Sequence, residues 1–234
     1  MRTLVIIGHP EVDDSQSHQF LLQTGQAMTD VTYFDLGAYY QEQQKFDPEI
    51  ERNRLKEFDR IIFQFQLYWY QAPAILKAWF DQAFPNAYQI DLWRPILVGK
   101  EMGTVVLSGT KLSAYRTDSG QRATLSELLS PYRAFAHYWQ MTYLPYFAVG
   151  QLAAKNPTQQ WRLMFDYVTY LETGRVGSFR ALQQTILSQL GKLIDQGFIE
   201  QETDALELDL FYQQLVQQAD LLEELYRLEG EEVE

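Results

Sequence analysis

Thr3-Leu4-Val5-Ile6-Ile7-Gly8 decides the architecture. After Thr3 the run has no polar alternation and is mostly β-branched, which fits a strand covered on both faces and therefore a parallel sheet. Working outward, residues 17–28 read as a helix, 31–34 as a second strand, and 48–58 as a helix opening on Pro48 with acids in its first turn. Residues 60–65 form a third strand, 73–84 a helix and 102–107 a fourth strand. Residues 125–140 form a helix interrupted or entered at Pro131, and 142–147 a fifth strand. Repeated β-α steps of this length predict an open, doubly wound sheet with right-handed crossovers.

The pattern does not show strand order; a five-stranded parallel α/β sheet of the flavodoxin-like type has the order 2-1-3-4-5, with ligands at the carboxyl ends of strands one and three. The decisive loops are then 8–18, 66–72 and 108–116. Asn156-Pro157 starts a further helix that runs to about residue 172 and is stopped by Gly174. Residues 178–195 and 203–228 read as extra C-terminal helices. The expected organisation is a domain over 1–174, with a helical extension over 175–234 packed on the same domain or on a dimer partner.

Composition limits the chemistry. With Cys at 0, disulfides, thiolate metal sites and a cysteine nucleophile are excluded, so redox chemistry here needs a bound cofactor, and no metal site is expected. Of the 31 acids, 12 fall in residues 200–234 beside the single base Arg227, so the rest of the chain is nearly neutral despite the net charge of −12. Such a body has no basic surface for a phosphate backbone, and nucleic acid is not an expected partner. The amino-terminal apolar run is too short for a signal peptide, and no stretch approaches a membrane span, so the expectation is a cytoplasmic protein without membrane insertion.

No G-x-G-x-x-G follows strand one and no G-x-x-x-x-G-K-[ST] occurs, so a phosphate must be held in another way. The first loop, Gly8-His9-Pro10-Glu11-Val12-Asp13-Asp14-Ser15-Gln16-Ser17-His18, puts hydroxyl and imidazole donors ahead of a helix N-terminus, where an anion is favoured. Glu11, Asp13 and Asp14 oppose that, and a Ser15 or Ser17 cap on a solvated acidic loop is the competing reading. The second loop, Gln66-Leu67-Tyr68-Trp69-Tyr70-Gln71, carries three adjacent aromatics at a strand's carboxyl end. They serve either a ligand crevice or a plug or dimer surface. Beyond them, Ile75, Leu76, Trp79 and Phe80 have core spacing, and Lys77 and Asp81 form an i, i+4 pair.

These segments resemble the flavodoxin-like NAD(P)H:quinone oxidoreductase family, including the ancillary flavoproteins of glutathione-gated potassium efflux systems. One signature, His-Pro with Ser and then Asn downstream, is met by His9-Pro10 and Ser15, with His18 in place of the Asn. The other, Pro-x-Tyr/Gln-Trp-Tyr/Phe-x-x-Pro-x-x-Leu-Lys-x-Trp-x-Asp, is met by Tyr68-Trp69-Tyr70, Pro73, Leu76-Lys77, Trp79 and Asp81, with Gln66 in place of the leading Pro. Ala87-Tyr88 and Gly99-Lys100 are similar to family positions before strand four.

The resemblance implies bound FMN, with FAD as the alternative, reduced by NAD(P)H and reoxidised by a quinone-like acceptor in a ping-pong hydride transfer. It implies anion contacts from His9, Ser15, Ser17 and His18, ring contacts from Gln66, Leu67, Tyr68, Trp69 and Tyr70, and backbone donors at Ser108 and Gly109. The family loop after strand four has two glycines where this chain has Gly109-Thr110, and Thr110 there is expected to crowd the ring or to need a positive φ. Tyr115 lies where some relatives place a catalytic tyrosine, and a surface tyrosine is the competing reading. A homodimer is implied too, with Tyr132 to Phe147 as its aromatic surface. The alternative function is a regulatory or interaction subunit whose flavin site has weakened.

Overall fold

The computed structural model describes residues 1–84, 90–195 and 202–228. The chain alternates β1 (Thr3–Ile7), α1 (Gln16–Gln26), β2 (Val31–Asp35), α2 (Leu36–Gln43), α3 (Pro48–Lys56), β3 (Arg60–Gln66), α4 (Ala74–Ala83), α5 (Ile90–Leu97) and β4 (Glu101–Ser108). There follow α6 (Leu125–Leu128), α7 (Ser130–Tyr138), β5 (Thr142–Tyr143), β6 (Phe147–Gly150), α8 (Pro157–Thr173), α9 (Phe179–Asp195) and α10 (Glu202–Leu228). All strand pairings are parallel, in the order β2-β1-β3-β4-β5, with β6 also on β4.

The expected order is therefore present, and the fifth strand is divided in two. Thr142 pairs with Glu101 and Phe147 with Val105 along the same edge of β4. Leu144 still donates its N–H to Met102 at 2.8 Å. Pro145 has no N–H to give, so the ladder breaks there and resumes at Phe147.

Alternation along the strands explains the two-sided core. Leu4, Ile6, Phe63, Phe65 and Val106 face one layer with Trp79 and Trp93, while Val5, Ile7, Ile62, Val105 and Leu107 face the other with Tyr167 and Tyr170. Leu76 and Trp79 are core, and Lys77 pairs with Asp81, as the spacing predicts. Helix ends follow their caps: Asp47 accepts from Glu49 N and Ile50 N ahead of Pro48, and Asn156 forms a capping box with Gln159. Gly174 ends α8 at φ 69°, a conformation that favours glycine.

The ring-rich 132–147 segment turns mostly inward. Tyr132 stacks on Phe65 with ring centroids 5.2 Å apart, Phe135 lies 5.1 Å from Phe84, and Trp139 is buried. Tyr138, 48% exposed, is its large outward ring.

Residues 1–176 and 177–234 form two compact units. In the second, α9 and α10 are tied by Arg180 Nη2 to Glu223 Oε1 at 2.8 Å. Among the described residues no helix is long and apolar enough to cross a membrane, and no cluster of three or more metal-ligating side chains occurs.

Candidate functional site

The loops after β1, β3 and β4 leave the sheet at one edge, as parallel topology requires. In the first, Ser15 caps α1, its Oγ accepting from His18 N at 3.4 Å. Ser17 is half-buried on the first turn. The loop is pressed against α2: a Cβ on Gly37 would lie 2.5 Å from His9 O and 2.4 Å from Pro10 O, so only glycine permits that approach.

His9 is buried, and both of its ring nitrogens have partners. Nδ1 accepts from Glu11 N at 3.1 Å, which leaves Nε2 to donate to the Tyr68 hydroxyl at 2.9 Å. Burial lowers the His9 pKa, against the opposing pull of the Asp35, Glu11 and Asp14 carboxylates. The His9–Tyr68 bond joins the first loop to the second across 59 residues.

The second loop is a two-residue turn. Tyr68 N donates to Gln71 O at 2.8 Å and Gln71 N to Tyr68 O at 3.1 Å, while Trp69 and Tyr70 both take positive φ, 50° and 68°. That is the type I′ arrangement, which Asn and Gly adopt readily and bulky side chains do not. Trp69 is 92% exposed, which leaves it available to a ligand crevice or a dimer surface. Tyr68 and Tyr70, 40% and 43% exposed, flank it. Strain that presents rings to the exterior is a mark of a functional turn. Gln66 and Leu67 lead into it half-buried, with Leu67 N bonded to Leu107 O at 2.9 Å.

In the third loop Ser108 is buried, and its Oγ accepts from Thr110 N at 3.0 Å and lies 2.9 Å from the Tyr115 hydroxyl. Thr110 does not adopt positive φ, so of the two alternatives expected for it the left-handed backbone is absent, and its N–H is bonded to the Ser108 side chain. A Cβ at Gly109 would meet nothing within 4 Å, so the backbone there is open to a ligand. Tyr115 is half-buried and anchored, and is not a free surface tyrosine. The Ala87-Tyr88 pair lies outside the described residues.

Sequence reasoning missed three contributors. Asp35 caps α2 beside His9, and burial raises its pKa. Gln64 is fully buried and lies 3.1 Å from His18 Nδ1 through its Nε2, and Tyr167 donates to its Oε1 at 2.8 Å. A lone amide between Phe63 and Phe65 in a buried strand was the available signal. His18 is fully buried, its ring centroid 4.9 Å from that of His9, and its Nε2 has no hydrogen-bond partner among the described residues.

An open parallel sheet in the order β2-β1-β3-β4-β5, with its ligand-side loops at the carboxyl ends of β1 and β3, defines the flavodoxin-like class of α/β protein. The family model described as a flavodoxin-like fold matches residues 1–165, and the chain belongs to that family. It is 38% identical over 148 residues to an uncharacterised NAD(P)H oxidoreductase, YdeQ, of Bacillus subtilis (63% of this chain, 75% of the relative). Among solved structures it is similar to an NADPH-quinone reductase from P. pentosaceus, with TM-score 0.64 and 35% identity over 73% of this chain and 98% of that one. A general stress protein 14 from Treponema denticola, solved in complex with FMN, has TM-score 0.66 and 27% identity over 75% of this chain and all of that one (100%).

Proposed function

We propose that this chain is an FMN-dependent NAD(P)H:quinone oxidoreductase. The observation that carries the reading is the Trp69–Tyr70 turn, held outward in left-handed geometry and bonded through Tyr68 to the His9 loop. Three features suit a flavin phosphate and ring: the unpartnered His18 Nε2, the Ser15-capped start of α1, and the open backbone at Gly109. When bound, the flavin supplies hydride acceptance and donation.

The chain's own residues bind and orient. Ser15, Ser17 and His18 would address the phosphate end, His9, committed to Glu11 N and the Tyr68 hydroxyl, positions the first loop against the second, and Gln66 to Tyr70 would cover the ring. Donors at Ser108 and Gly109 meet its polar edge, where negative charge is favoured. Ser108 Oγ can donate to the Tyr115 oxygen, which leaves the Tyr115 proton directed to a ligand. With one slot serving reductant and acceptor in turn, the kinetics are ping-pong. The reading includes a homodimer, which light scattering reports as twice the chain mass.

The test is an absorbance titration with FMN and FAD, followed by NAD(P)H oxidation with a small quinone. Bound flavin and parallel double-reciprocal lines are expected; a colourless, non-binding protein favours the regulatory-subunit reading, and intersecting lines exclude the shared slot. Tyr115→Phe is expected to lower kcat about tenfold, as loss of one hydrogen bond made in the transition state does, with FMN affinity unchanged. Identical kinetics would remove Tyr115 from the chemistry.

A further inference from the structure

Four side chains from β2, α8, β3 and α1 form one hydrogen-bonded file beneath the first loop. The Tyr33 hydroxyl lies 3.1 Å from that of Tyr167. Tyr167 donates to Gln64 Oε1 at 2.8 Å, so its oxygen is left to accept from Tyr33. Gln64 Nε2 lies 3.1 Å from His18 Nδ1. With Gln64 Oε1 taken by Tyr167, the group facing His18 is an N–H donor, and Nδ1 must be the acceptor. A neutral imidazole carries one proton, which therefore sits on Nε2.

That Nε2–H ends the file without an acceptor. His18 is fully buried, its Nε2 has no partner among the described residues, and buried N–H groups are rarely left so without a ligand or water. His18 also lies on the first turn of α1, beyond the Ser15 cap and against His9, where backbone N–H groups favour an anion.

We propose that Gln64, held by Tyr167, is a positioning residue for His18: it fixes the imidazole as the neutral Nε2–H tautomer, and that N–H is the donor offered to the phosphate of a bound flavin. This rests on the flavin reading above for the identity of the ligand. A neutral donor suits the place, because it can wait in a buried site without the desolvation penalty of an imidazolium. The file also carries orientation from α8, which touches none of the three ligand loops through these bonds, to the anion loop. No contact between Gln64 or Tyr167 and the ligand is required.

Long-range 1H–15N spectra of the histidine rings in the full chain test this directly. The wild-type protein is expected to show His18 as the Nε2–H tautomer, with that resonance moved by FMN and by inorganic phosphate but not by riboflavin, which lacks the phosphate. Tyr167→Phe frees Gln64 Oε1, so His18 should populate both tautomers. The Kd for FMN should then rise in proportion to the Nε2–H population lost, about twofold at equal tautomer populations, while that for riboflavin stays unchanged. If Tyr167→Phe does not fold, Gln64→Met, close in volume, carries the same expectation.

An Nδ1–H tautomer in the wild type would mean that the file runs in the opposite direction, and would overturn the proposal. So would equal weakening of FMN and riboflavin, which marks a purely structural role. A wild-type protein that binds neither flavin sinks the oxidoreductase reading alone. In that case the phosphate response at His18 Nε2 decides this one: a shift supports it and no shift ends it.

Discussion

Replacing Trp69-Tyr70 by Asn-Gly is expected to raise the unfolding midpoint of the flavin-free protein and, in the same variant, to weaken FMN binding. Both central residues of the turn sit at positive φ, 50° and 68°, where an L side chain costs about 1 kcal/mol or more. Asn-Gly is the pair that a type I′ turn prefers. Trp69 is 92% exposed, so little burial is lost with it. The net gain is about 1–2 kcal/mol, or roughly 2–8 °C for a domain of this size. Loss of two ring contacts should cost at least about 2 kcal/mol in binding, near thirtyfold in Kd. Thermal melts must be made without flavin, since a ligand bound only to the native state raises the midpoint by itself. A midpoint that stays or falls would show that the turn stores no strain. Unchanged affinity would detach it from the site.

Such an opposition between stability and function is what local sequence reading is least able to see. The strands were legible because each is a short apolar run bounded by turn residues, and the helices between them carry caps such as Asp47-Pro48 and Asn156-Pro157, whereas their order in the sheet came only with the fold type. Helices α2 and α5 were not legible. Helix α2 begins directly at the end of β2, with Asp35 closing the strand and capping the helix at once, and α5 contains Pro95, which normally argues against a helix interior. Pro145 in the fifth strand was a visible break whose effect on the ladder needed the register with β4.

The site divides in the same way. Loop positions of His9, Ser15, Trp69 and Ser108 follow from where strands end. Their pairings do not, because His9 meets Tyr68 across 59 residues, Gln64 meets His18 across 46, and Tyr167 meets Gln64 across 103. Ser108 illustrates the difference within a single loop. Its position after β4 was readable as a backbone donor, whereas its side chain turned out to hold both Thr110 N and the Tyr115 hydroxyl. The Ser108 hydroxyl bonds Thr110 N within its own loop, and Thr110 there has no left-handed backbone.

Acidification is expected to destabilise the protein well before its carboxylates titrate, and His18 is the main reason. Burial, followed by the neighbouring His9, lowers the His18 pKa from 6.5 to about 3. Between those values the unfolded chain binds a proton that the native protein does not, so stability falls as pH falls, by about 1.4 kcal/mol per pH unit for one proton. From pH 6.5 to pH 5 the loss amounts to about 2 kcal/mol. Burial lowers the His9 pKa too, and that acts in the same direction. Asp35 acts with the opposite sign, because burial raises its pKa and the native state takes up its proton first. Urea unfolding at pH 7, 6 and 5 measures the slope in wild type, in His18→Asn and in an Asp35→Asn control. His18→Asn should remove close to one proton from the linkage and flatten the curve, while Asp35→Asn should leave it as steep or steeper. Equal slopes in wild type and His18→Asn would mean that the native imidazole is already protonated. An imidazolium has no lone pair left on Nδ1, so the Gln64 N–H could not face it, and the whole file from Tyr33 to His18 would have to be turned around.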